Sequence, residues 1–218
     1  MKILTIAQTL IAITPLLISV TGKTLSHHPN NGKNIPLIMH QVKSKSYKVD
    51  THDSKINWLA KKVTGAHNGG IAISYGEFHV QNDLVTDMGL HIDIRSITDA
   101  DLTDKDSNDK LVNTLKGETF FNSDKYPDAA FVSTAVVHVS GSQYTVKGKL
   151  TIKGITNELS FRTTIIMNKN KLIAHAKISV DRTKFDIKIR SKSFFENLGD
   201  KVIFDNFDLE IALSANAE

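Results

Sequence analysis

The chain contains no cysteine. Disulfide bonds, thiolate catalysis and cysteine-based zinc or iron–sulfur centres are therefore excluded, as is the cysteine on which a bacterial lipoprotein carries its lipid. Proline is scarce, with four residues, and there is one tryptophan, so neither a proline-rich spacer nor a low-complexity segment dominates. The signatures G-x-S-x-G, G-x-G-x-x-G, the P-loop and H-E-x-x-H are all missing. The formal net charge is only +4, and no dense basic patch interleaved with aromatics marks a nucleic-acid reader. Outside the first twenty residues there is no long apolar run.

The apolar and charged fractions, 40% and 23%, are those of an ordinary folded domain rather than a disordered chain. At the N-terminus, Lys2 precedes a mostly apolar stretch from Ile3 to Val20, followed by Thr21 and Gly22. That order predicts a secretory signal peptide over residues 1–22. The competing reading is an uncleaved anchor, which Gln8, Thr9, Thr14 and Pro15 weaken. Residues 23–46 have two prolines, many polar side chains and no acidic group, and are read as a flexible linker. The linker contains His27, His28 and His40, a cluster able to hold a metal loosely.

From Tyr47 onward the sequence reads as about eight strands separated by short turns. Met88, Leu90, Ile92 and Ile94 fall on one face, with Asp87, His91, Asp93 and Arg95 on the other. The same alternation places Ile56, Trp58 and Ala60 together, then Phe131, Ala135, Val137 and Val139, then Val146, Gly148, Leu150 and Ile152. Further runs are Leu159, Phe161, Thr163 and Ile165; Ala174, Ala176, Ile178 and Val180; and Phe207, Leu209, Ile211 and Leu213. Ile71 and Ile73 have one parity and Phe78 and Val80 the other, with Gly76 at the change, as at a bulge. Lys184, Lys188, Arg190 and Lys192 alternate with Phe185, Ile187 and Ile189, which suggests a basic strand face. Between Thr103 and Gly117, Leu111 and Leu115 stand four apart, Asp104 and Ser107 are candidate N-caps and Gly117 a stop, so one short helix is expected there. Its leucines, with Phe120 and Phe121, would cover one end of the structure. The expected fold class is all-β: eight antiparallel strands with one short helix in a long connection. A sandwich and a closed barrel both satisfy the pattern.

Several of these elements occur in an order that resembles the YceI family. They are Tyr47-Lys48-Val49-Asp50 with Ser54; Ser96-Ile97, the Asp-rich stretch 101–109, Leu115-Lys116, Phe120-Phe121, Tyr126-Pro127 and Phe131; Gly148, Leu150, Thr151, Gly154, Ile155 and Thr156; and Asp181-Arg182 with Phe185. The resemblance covers residues 47–218. Trp58, His67, Gly70 and Gly76 depart from the best-known members. The resemblance implies a lipocalin-like, eight-stranded barrel exported to the periplasm. It also implies that the barrel carries a polyisoprenoid or an isoprenoid quinone in a long apolar tunnel and performs no catalysis.

On that basis the tunnel is expected to be formed by Ile56, Trp58, Phe78, Met88, Leu90, Ile92, Leu111, Leu115, Phe120, Phe121, Phe131, Leu150, Ile152, Phe161, Ile178, Phe185 and Phe207. Ala60, Ala135, Gly148, Ala174 and Ala176 would leave room for cargo. Arg182 is expected to pair with Asp50 or Asp181 at a strand end. No catalytic residue, metal ligand or cofactor is assigned, because the nine histidines are scattered. Expected partners are a lipid and, transiently, a membrane surface, with no nucleic acid; the protein would be a monomer or homodimer. The alternatives are a filled barrel acting through its surface and a metal- or haem-binding protein.

Overall fold

The computed structural model describes residues 43–218. The expected signal peptide, most of the linker, and His27, His28 and His40 lie outside that range. Nine strands form one antiparallel sheet: β1 (Ser44–Val49), β2 (Lys55–Lys62), β3 (Gly65–Gln81), β4 (Leu84–Asp93), β5 (Asp128–Ser140), β6 (Gln143–Ile152), β7 (Ile155–Met167), β8 (Lys171–Asp181) and β9 (Ile203–Ala217). Consecutive strands from β2 to β9 pair in turn, and β9 also pairs with β2, which closes the sheet. The two remaining half-edges are filled by β1, which pairs with the second half of β3 and with Ala215–Ala217 of β9. β1 and β2 therefore share one place in the wall, and the result is an eight-stranded closed barrel without a free edge. β1 starts at Ser44, so the last residues of the expected linker belong to the barrel.

The turns follow local chemistry. Asn82 and Asp83, both with positive φ, make the two-residue β3–β4 turn, and Lys153 and Gly154 make that between β6 and β7. The helix α1 (Lys105–Lys116) lies in the long β4–β5 connection. The Asp104 carboxylate caps it by accepting from the Ser107 N–H at 2.9 Å, and the Gly117 N–H closes its last turn. This connection and the β8–β9 connection sit at the same end of the barrel, called here the capped end.

Register shifts occur in several strand pairs, and two of them bear on the expected faces. The β3–β4 register shifts between Ile73 and Tyr75, so the parity change lies at Ser74 and not at Gly76. Gly76 is required for space instead: a Cβ there would lie 2.6 Å from Leu90 and 2.7 Å from Val49. A second bulge between Ser133 and Ala135 turns Val137 and Val139 outward, where they are 55% and 60% exposed. Val136 packs inward in their place. The expected basic strand face at 184–192 is also corrected. Arg182–Phe185 is a short 3-10 turn and the chain stays irregular as far as a second one, Gly199–Lys201. Phe185 and Ile187 are nevertheless buried, at 2% and 1% exposure.

Candidate functional site: an apolar cavity under the cap

The barrel interior divides into two parts. The half away from the cap holds a packed cluster, beyond which Tyr47, Val80, Tyr144 and Ile165 line a second, partly polar opening at the far end. Phe78 and Val146 are fully buried, packed in one cluster with Met88, Leu90, Tyr144 and Leu172. Near the middle, the Phe131 and Phe161 rings meet at 5.5 Å between centroids, tilted by 56°, a favourable aromatic geometry. Gly148 makes this possible. A Cβ on it would fall 2.4 Å from Phe131 Cζ and 2.5 Å from the Val132 carbonyl oxygen. The room expected for cargo at Gly148 is therefore taken by the Phe131 ring.

Above this plug, at the capped end, an apolar cavity remains. It measures about 110 Å³ and opens to solvent. Barrel strands contribute Ile56, Trp58, Ile71, Ile92, Leu150, Ile152, Phe207 and Leu209; the β4–β5 connection contributes Ile94, Ile97, Leu115, Phe120 and Phe121. Ile187, Ile203 and Phe204 come from the β8–β9 side. Trp58 is oriented by its indole N–H, which donates to the Thr98 carbonyl at 3.0 Å. Gly69 lets that segment approach, since a Cβ there would overlap the Thr98 carbonyl oxygen.

Nine of the residues expected from the sequence line the cavity: Ile56, Trp58, Ile92, Leu115, Phe120, Phe121, Leu150, Ile152 and Phe207. Eight do not. Phe78, Met88, Leu90, Phe131, Phe161, Ile178 and Phe185 belong to the packed core, and Leu111 packs behind the cavity wall against Trp58, Ile97 and Leu115. In place of the expected long tunnel the structure shows an apolar cavity at the capped end, with Phe131 of β5 and Phe161 of β7 packed together over Gly148 of β6 below it. Ile71, Ile97, Ile187, Ile203, Phe204 and Leu209 escaped the sequence reading. Leu209 and Ile71 had the right parity, whereas Ile187 and Ile203 lie in or beside a connection without period.

The charged group in the lining is Arg182, only 5% exposed. Its guanidinium donates to the carbonyls of Ile187 at 2.6 Å, Ile203 at 2.9 Å and Phe204 at 3.1 Å, and lies 3.5 Å from Asp205. The expected partners Asp50 and Asp181 are otherwise employed: Asp50 accepts from the backbone of His52 and Asp53, and Asp181 caps Thr183. Burial lowers the Arg182 pKa, with Asp205 opposing. Burial works to raise the Asp205 carboxyl, but hydrogen bonds from Ser191 and Ser193 and the charge of Arg182 hold it below its ordinary value. Arg182 thereby ties the β8–β9 connection down to the start of β9 and spends its donors on the backbone.

A closed antiparallel barrel with a largely apolar internal cavity, entered from one end, belongs to the class of lipocalin-like barrels. The sequence matches the model of the YceI-like domain over residues 47–215, and the chain belongs to this family. No curated protein matches it. Among solved structures, BcnA of Burkholderia cenocepacia is similar, with 24% identity and a TM-score of 0.61, over 76% of this chain and 98% of that one. A polyisoprenoid binding domain from Saccharophagus degradans, implicated in plant cell wall breakdown, shares 11% identity with a TM-score of 0.58, over 79% of this chain and 98% of the other. The Campylobacter jejuni YCEI protein is 18% identical, with a TM-score of 0.48 and 87% and 93% coverage. The first two likenesses bear on the fold.

Proposed function

We propose that the protein is a non-catalytic carrier that takes the apolar chain of an isoprenoid lipid, a polyisoprenoid or quinone, into the cavity under its cap. The observation that carries this reading is the lining itself: nineteen residues, of which eighteen are apolar and one, Arg182, is already engaged with backbone carbonyls. Such a wall offers a substrate neither nucleophile nor acid–base pair, but it removes hydrocarbon from water. Each buried methylene contributes about 0.8 kcal/mol, offset in part by the ordering of chain and cap. At about 110 Å³ the free space is smaller than the range of about 300–1,000 Å³ common for small-ligand sites, so it takes one short stretch of an apolar chain whose remainder extends through the mouth. Membership of the YceI-like family and the polyisoprenoid-binding neighbour support the choice of lipid class.

The mouth supports exchange with a bilayer. Phe194, Phe195 and Phe204 are 51%, 47% and 49% exposed at this end, beside Lys188, Arg190 and Lys192. Aromatics among cations suit transient contact with an anionic membrane surface, and the signal-like N-terminus fits export to the periplasm. The test is lipid mass spectrometry on protein purified from a bacterial periplasm, repeated after incubation with polyprenol and quinone mixtures. One prenyl chain or quinone per protein is expected. An empty extract in both cases overturns the carrier reading in favour of a filled barrel acting through its surface.

A further inference from the structure

Outside the cavity, the start of β3 and the segment leading into α1 bring together three side chains with metal-binding chemistry. A ring nitrogen of His67 and one carboxylate oxygen each of Asp99 and Asp101 all lie within 4.8 Å of one another. Both carboxylates are held from behind. Asp99 Oδ1 accepts from the Leu102 N–H at 2.9 Å and the Asn108 side-chain amide at 3.1 Å. Asp101 Oδ1 accepts from the Asn68 N–H at 2.8 Å. The second oxygen of Asp101 stands 3.0 Å from His67 Nδ1. The second oxygen of Asp99 is buried and has no hydrogen-bond partner. A buried carboxylate oxygen without a donor is unfavourable, and two adjacent carboxylates repel unless a positive charge sits between them. A cation relieves both.

We infer that His67, Asp99 and Asp101 form a site for a divalent transition-metal ion of the zinc type. One imidazole nitrogen and two carboxylate oxygens are a donor set that suits such an ion, with water completing the shell. The Leu102, Asn108 and Asn68 donors serve as the outer hydrogen bonds that orient metal-binding carboxylates. The ion ties two parts of the molecule together. Asn68 and Gly70 of β3 already accept from Ala100 and Thr98, and the segment 98–102 leads into α1, whose Leu115 walls the cavity. Metal binding therefore stiffens the anchor of the cap.

The test is calorimetric titration of the full chain, freed of metal with a chelator, with zinc chloride at neutral pH. His67→Ala and Asp99→Asn are compared with a triple variant, His27→Ala, His28→Ala and His40→Ala, which removes the competing histidines near the N-terminus. Asn at position 99 retains the acceptor for Leu102 and Asn108, and circular dichroism in chelator checks that each variant folds. One equivalent of zinc is expected for the parent and the triple variant, with affinity reduced about tenfold or more in His67→Ala and Asp99→Asn. Cobalt(II) substitution gives a second readout, a visible absorption band lost in the same two variants. No zinc binding by the parent, undiminished binding in the two variants, or loss in the triple variant overturns the assignment.

Discussion

Arg182 holds more backbone than any other side chain at the capped end. Three carbonyls and the half-buried Asp205 share its guanidinium, so Arg182→Ala strands a partly buried carboxylate and three acceptors. A loss of about 3–5 kcal/mol is expected, read as a lower urea midpoint. Arg182→Lys recovers little of it, because an ammonium cannot reproduce the planar fork. Gly148 is critical for the opposite reason, the lack of a side chain. In Gly148→Ala the new methyl meets both the Phe131 ring and the Val132 carbonyl, and the backbone atom cannot rotate away. A cost of about 1–3 kcal/mol is expected, with Phe131 displaced from its contact with Phe161. The same urea titration measures it.

α1 is short and its sequence is mostly polar, with Leu115 alone among its residues buried. Its first turn depends on Asp104, whose carboxyl is held below the ordinary range by the Ser107 hydroxyl and N–H. The sign of the linkage follows: a depressed native pKa contributes stability that is present above the unfolded value, about 3.9, and is lost as the pH falls through the native one. Amide exchange at residues 105–108, corrected for its intrinsic pH dependence, is therefore expected to lose protection on acidification below that value. In Asp104→Ala the protection is already lower at neutral pH and no longer responds to acid in this range. The bulges at Ser74 and Thr134 act on the same level. Each adds one residue to a strand and exchanges the inward and outward sets beyond it.

The closed barrel turns these local choices into a cavity of defined depth. Phe131 and Phe161 pack beyond its lining, so Phe161→Ala, at a half-buried ring, is expected to cost less than the loss of about 3–5 kcal/mol for a fully buried phenylalanine and to admit a longer lipid chain. Lipid mass spectrometry of the variant then shows a shift to longer bound species. Ala129, which lies in the wall at 3% exposure, offers the reverse change. Ala129→Phe fills the free space and is expected to lower lipid occupancy below one chain per protein, with the fold retained by circular dichroism.

The alternation of apolar residues, the turn residues and the capped helix were legible in the linear chain because they follow from the two-residue period of strands and from local hydrogen bonding. The order of motifs from Tyr47 to Phe185 pointed to the family for the same reason: short-range patterns survive in a single sequence. The inward parity of Ile56, Trp58, Leu150, Ile152 and Phe207 was read correctly, and these residues do wall the cavity. Parity, however, says which side of the wall a residue occupies and nothing about what stands opposite. Only the register of β5, β6 and β7 brings Phe131 against Phe161 over Gly148, and only closure of the sheet gathers the cavity lining from distant strands at the capped end. The partner of Arg182, the contribution of Ile187 and Ile203, and the meeting of His67 with Asp99 and Asp101 were likewise decided in three dimensions. Each joins residues from separate strands or connections, and no periodicity along the chain encodes such distances.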